Sequence, residues 1–220
     1  MPTAYALQNL NIAWDANNGT MLVSGCTDTE CAGYVQVSRI DPATCAATPI
    51  IKVPTDPPIN PRQGAAAFDP STNTLVMTVT QAGKKGVGLV LVSVDVLTGK
   101  VLHVLPEASA NVSLVALSSA GPGLFLGLSV LPDLTVALAT FDSARNKVSV
   151  APAVPGYVEA LPGLSVFERR ESGDVFYFVT EDGPGGGARL VGVFVANGTL
   201  ASSGNLPGDA SQAPSALFLL

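Results

Sequence analysis

One histidine, one tryptophan and three cysteines are spread over 220 residues, and only 13% of the chain is charged. Each shortage closes a class of chemistry. The lone His103 leaves the many serines without an evident base, and a nucleophilic triad needs its base beside the nucleophile. Cys26, Cys31 and Cys45 lack the paired spacing and histidine partners of a zinc site. Cys26 and Cys31 flank a short hairpin loop that a disulfide would close in an oxidising compartment; a reducing one leaves three thiols. Mean hydropathy is high, at +0.40, yet Gly, Pro, Ser or Asp interrupts every apolar run before the roughly 18 residues of a spanning helix. A membrane barrel would alternate apolar and polar residues along its strands, whereas residues 89–94 and 190–195 are apolar on both faces. Basic residues are outnumbered 11 to 17, giving a net charge of −6, so nucleic acid is not an expected partner. Met1-Pro-Thr-Ala-Tyr5 lacks the basic region and apolar core of a secretory signal. The expectation is a cytoplasmic protein, or a secreted one if the N-terminus is incomplete.

What the chain does contain is repetition. Trp14, Phe68, Leu117, Phe167 and Phe218 open similar phrases at spacings of 54, 49, 50 and 51 residues. After each of the first four come a turn, an apolar run, a loop, a second run, another turn and a third run. The second period is the clearest, with strands a to d expected at 65–68, 74–80, 89–94 and 101–105. The first gives 12–14, 21–24, 34–40 and 49–53; the third 114–117, 124–130, 134–141 and 148–154; the fourth 164–167, 175–180, 190–195 and 200–205. Asp69-Pro-Ser-Thr-Asn73 and Asp95-Val-Leu-Thr-Gly99-Lys100 are turn sequences, because Asp and Asn bond their own backbone and Gly accepts a positive φ. Asp41, Asp95 and Asp142 each follow the last apolar residue of a strand c, where a carboxylate accepts turn amides.

A period near 50 made of strands without helices implies a β-propeller. The expected fold is all-β, a propeller or propeller arc of about four four-stranded blades in one domain spanning 1–220. The repeats fall at 11–54, 64–106, 113–155 and 163–207, with an extra C-terminal strand at 215–220. The two turn phrases resemble those of lactonase-like and quinoprotein-like propellers. Trp-Asp stands once, at Trp14-Asp15, and does not recur with the repeat; no Gly-His pair of WD40 repeats, no recurring Gly-Gly of kelch and no sialidase Asp box is found, so no family's catalytic residues transfer.

In propellers generally, the face built from b–c and d–a loops holds the ligand. Asp28, Glu30, Asp133, Glu181 and Asp182 fall on or beside b–c loops, and Asp56, Glu107, Glu159 and Asp209 on d–a connections. Arg62, Lys84 and Lys85 oppose them. A mouth lined by one sign of charge focuses its field on a counter-charged ligand, although loop carboxylates that merely keep an apolar protein in solution give the same pattern. Before each strand a stand Gln8, Asn60 with Arg62 and Gln63, Asn111, Glu159 and Gln212. Such a ring of oxygens would hold calcium weakly, since Glu159 is its one carboxylate; water is the commoner occupant, and no cofactor is expected. The Gly183-Pro-Gly-Gly-Gly187 loop joins strand to strand and lacks the Lys-Ser/Thr of a phosphate cradle.

The leading expectation is a noncatalytic interaction module that presents an acidic loop face to a protein or small ligand. The alternatives are a lactonase-like or sugar-hydrolysing enzyme with a metal near Asn60, Asn111 and Glu159, and a structural subunit that completes a larger propeller. The four anchors are expected to be buried in equivalent places. Residues 4–10 read as an outermost strand left from an earlier blade and 215–220 as an unfinished innermost strand, so association through open blade edges is also expected. Asn18-Gly-Thr20, Asn111-Val-Ser113 and Asn197-Gly-Thr199 fit the glycosylation triplet, which matters only after secretion.

Overall fold

The computed structural model describes residues 8–26, 34–54, 59–60, 65–83, 86–106, 113–130, 136–154, 160–181 and 187–209. All described regular structure is β, in four antiparallel meanders. Blade 1 is β1 (Gln8–Asp15), β2 (Thr20–Cys26), β3 (Tyr34–Ile40) and β4 (Ala47–Pro54). Blade 2 is β5 (Ile59–Asn60), β6 (Ala66–Asp69), β7 (Thr74–Gly83), β8 (Gly86–Asp95) and β9 (Lys100–Pro106). Blade 3 is β10 (Ser113–Gly121), β11 (Leu124–Val130), β12 (Val136–Asp142) and β13 (Lys147–Ala153). Blade 4 is β14 (Ala160–Glu168), β15 (Val175–Glu181), β16 (Gly187–Phe194) and β17 (Leu200–Asp209). In blade 2, β5 and β6 both pair with β7, so its first strand comes in two pieces.

The chain divides into two compact units, Met1–Ser109 with blades 1 and 2 and Ala110–Leu220 with blades 3 and 4. Within each, the first strands of the two blades lie side by side, β1 against β6 and β10 against β14. In the first unit Leu22, Val35, Val37 and Val53 meet Phe68, Leu75, Met77, Val92 and Val94. In the second, Leu126, Leu128 and Leu138 meet Phe176, Phe178, Val191 and Val193. β8 buries Leu91 as well as Val90 and Val92, so successive residues, which point to opposite faces of the strand, are apolar. Each such side chain contributes about 1.5–3 kcal/mol when fully buried.

Five of the eight a–b and c–d hairpins share one device. An Asp opens the turn and its carboxylate takes the next amides. Asp15 accepts from the N–H groups of Asn17 and Asn18, Asp69 from that of Ser71, and Asp41 from those of Ala43 and Thr44. Asp95 accepts from Leu97 and Thr98, and Asp142 from Arg145. Four residues later the backbone turns left-handed, at Gly19 (φ 61°), Cys45 (54°), Asn73 (54°), Gly99 (64°) and Asn146 (49°). Gly and Asn enter that region readily and Cys does not. The two hairpins of a blade are also tied together: Val96, Ser143 and Val195 donate backbone bonds to Asn73, Gly123 and Asp174.

Three expectations need correction. Trp14 is 42% exposed, not buried. It holds the same register as Phe68 and Phe167, opposite Met21 as they are opposite Leu75 and Phe176. Phe68 is buried in the core shared with blade 1, and Phe167, expected to be buried, is only half-buried and packs against the core shared with blade 3; Trp14 is on the opposite side of β1 from the buried Asn11 and Ala13. Leu117 is buried but out of register, opposite Gly127, because β10 carries bulges and closes through the two-residue turn Pro122-Gly123. Gln8 to Leu10 belong to β1, not to an outermost strand of an earlier blade. Residues 4–7 and 215–220 lie outside the described residues, as does Cys31. Cys45 is a free, exposed thiol in the c–d turn of blade 1.

Candidate functional site

Each blade has two edges, one formed by the a–b and c–d turns and the other by the b–c and d–a connections. Asn60 lies at the second edge, its Cα opposite Thr80 near the end of β7, and Gln8 lies there in blade 1, opposite Cys26. Glu181 closes β15 opposite Ala188, and Asp209 ends β17 opposite Gly187. Asp28, Arg62, Asn111, Glu159, Asp182 and Gln212 lie outside the described residues. Among the described residues no group of three His, Cys, Asp or Glu side chains is arranged to hold a metal ion.

Six of the eight acids at the first edge are committed to the fold, Glu171 and Asp174 in the a–b turn of blade 4 being exposed. Asp15, Asp41, Asp69, Asp95 and Asp142 hold turn amides, and Asp15, Asp142 and Glu168 also meet Arg39, Arg145 and Arg170. Backbone amides hold two of these carboxyls below the ordinary aspartate range, chiefly that of Ala43 for Asp41 and of Arg145 for Asp142. At Asp95 the Thr98 hydroxyl is the main cause. Arg170 is fixed in turn, its Nη2 donating to the Tyr177 hydroxyl at 2.5 Å and its Nε to Glu168 at 2.7 Å.

Sequence reasoning passed over the polar groups that join neighbouring blades. Asn11 donates to the Thr78 carbonyl at 3.0 Å and Asn17 to that of Pro70 at 2.7 Å. In the second unit Ser165 donates to Leu117, the Ser118 hydroxyl accepts from Phe167 N–H, and Arg169 donates to Ala120. The available signal was a short polar residue inside an apolar first strand, where a buried polar group requires a partner. His103 lies on the outer strand β9, opposite Ser93 and far along the sheet from the first strand, as expected.

No family model and no curated protein matches the chain. Its fold is similar to those of solved β-propellers. TolB from Acinetobacter baumannii aligns over 84% of this chain and 41% of its own, at 12% identity and a TM-score of 0.55. An exo-β-1,3-galactanase from Phanerochaete chrysosporium, solved with β-1,3-galactotriose, aligns over 90% and 50%, at 8% identity and a TM-score of 0.59. A Dyadobacter fermentans protein of unknown function aligns over 92% and 70%, at 11% and 0.59. The chain thus spans about half the length of the first two. Identities this low establish the propeller fold and nothing about activity.

Proposed function

We propose that the protein is a noncatalytic propeller module whose b–c and d–a edge binds a positively charged partner, a protein segment or a small ligand. The division of the carboxylates carries this reading. Asp15, Asp41, Asp69, Asp95 and Asp142 are consumed by turns, with Arg39 and Arg145 beside two of them. Asp28, Glu30, Asp56, Glu107, Asp133, Glu159, Glu181, Asp182 and Asp209 fall by sequence position at the other edge, where they outnumber Arg62, Lys84 and Lys85. One sign of charge gathered on one edge favours a counter-charged ligand and speeds its encounter. The test is calorimetry with an oligolysine peptide. Binding should weaken several-fold as the Debye length falls from about 30 Å at 0.01 M salt to about 8 Å at 0.15 M. Glu181→Gln with Asp182→Asn should weaken it further, and no binding at low salt would reject the reading.

The sugar-bound galactanase among the similar folds favours a second reading, a sugar-hydrolysing enzyme with calcium held near Asn60, Asn111 and Glu159. A melting temperature that rises with calcium in the native chain but not in Glu159→Gln would support it. The partial coverage of longer propellers supports a third, a subunit that completes a larger propeller, and native mass spectrometry separates it from the others.

A further inference from the structure

We propose that Asn197 is an N-glycan acceptor and that the protein accordingly passes through a glycosylating compartment. Asn197-Gly198-Thr199 lies in the turn between β16 and β17, with Asn197 and Thr199 exposed. Gly198 has φ 70° and donates to the Phe194 carbonyl, which folds the turn so that Thr199 approaches the Asn197 side chain. Asn197 Oδ1 accepts from the Thr199 hydroxyl at 2.7 Å and from Thr199 N–H at 3.0 Å. Both bonds draw electron density toward the amide oxygen and make the Nδ2 protons more acidic, while among the described residues Nδ2 itself donates no hydrogen bond. A more acidic amide is easier to deprotonate, and the deprotonated nitrogen is the nucleophile that the transfer needs.

Asn18-Gly19-Thr20 has the same letters and a different arrangement. Asn18 Nδ2 donates to the Asp15 carboxylate at 2.8 Å, so the nitrogen is engaged, and the Thr20 hydroxyl is buried. The Asn197 turn also borders Leu200, an apolar side chain 55% exposed at the start of β17. A glycan there would cover that surface, and it would stand on the a–b and c–d edge of blade 4, leaving the b–c edge of that blade free. The donor would be an oligosaccharide linked to a lipid through diphosphate. Nδ2 forms a bond to the anomeric carbon of the first sugar, the bond from that carbon to the diphosphate oxygen breaks, and the lipid diphosphate leaves. The amide proton passes to a base on the transferase.

Intact mass of the protein purified from its own cells, before and after peptide-N-glycosidase, tests the assignment. A glycan mass that the glycosidase removes, leaving aspartate at position 197 in the peptide map, is expected. Unmodified Asn197 in that material would overturn the proposal. In a secretory host, Asn197→Gln should abolish the glycan at that turn while Asn18→Gln leaves the glycosylated mass unchanged apart from the substitution. Glycan at Asn18 with none at Asn197 would overturn it equally.

Discussion

Arg39 Nη2 lies 3.2 Å from Oδ2 of Asp15, a carboxylate with no solvent-exposed side-chain surface. The contact spans from β3 across β2 to the end of β1, and the same carboxylate holds the amides of Asn17 and Asn18 and the side chain of Asn18. Asp15→Ala removes the cap and leaves the guanidinium beside a buried, uncharged site. With Arg39 one-third exposed, the expected loss is about 2–3 kcal/mol, below that of a fully buried pair. Urea denaturation measures it. A loss under about 0.5 kcal/mol, the range of an ordinary surface change, would contradict this role.

Gly192 faces Tyr177 across the β15–β16 ladder, and a Cβ there would come 2.6 Å from the Tyr177 ring and 2.8 Å from the Ser202 hydroxyl. The glycine makes room for the ring. Gly192→Ala should therefore cost about 1–3 kcal/mol through overpacking. In the double variant with Tyr177→Ala, the two losses should add to clearly less than their sum. Strict additivity in the thermal melts would show that the ring is not what the glycine accommodates.

Cys45 holds φ 54° where other turns place Gly or Asn. Cys45→Gly should raise stability by about 1 kcal/mol, since the left-handed region costs a side-chain-bearing residue that order of energy. Chemical denaturation under reducing conditions isolates the backbone effect from any thiol chemistry. A lower denaturation midpoint in the variant would show that the Cys45 side chain makes a contact worth more than the strain.

Asp95 is held below its usual pKa first by the Thr98 hydroxyl, 2.6 Å away; burial opposes this as the next largest influence, and the Thr98 and Leu97 amides and Lys100 add to the lowering. A lowered folded pKa stabilises the fold above the unfolded value of 3.8 and loses that contribution as pH falls through the folded value. Thr98→Val should thus destabilise at neutral pH, with the deficit shrinking as the pH drops below about 4, where wild type loses the same bond. A deficit constant from neutral to acid would place the effect in packing instead.

Much of the blade plan is legible in the sequence. The expected c strand of blade 1 coincides with β3, Tyr34–Ile40, because turns bound it and an apolar run fills it. The Asp-led turns are legible because their chemistry is local. Trp14 is not, since its burial depends on which blade covers that face of β1, a long-range fact absent from the residue's own repeat. Leu117 slips because a bulge and a shortened turn change the count without changing the letters that suggested it. Asn60 and Glu181 are placed at the expected edge because strand direction fixes it, while a binding role depends on distances between connections that no period encodes.

The acidic edge is most directly tested by amide chemical-shift mapping of the full chain with oligolysine at low salt. The account predicts that shifts concentrate in the b–c and d–a connections, around Asp28, Asp56, Glu107, Asp133, Glu159 and Asp182, and fade as salt is added. Shifts centred instead on the turns of Asp41, Asp95 and Asp142, or spread evenly over both edges, would contradict it.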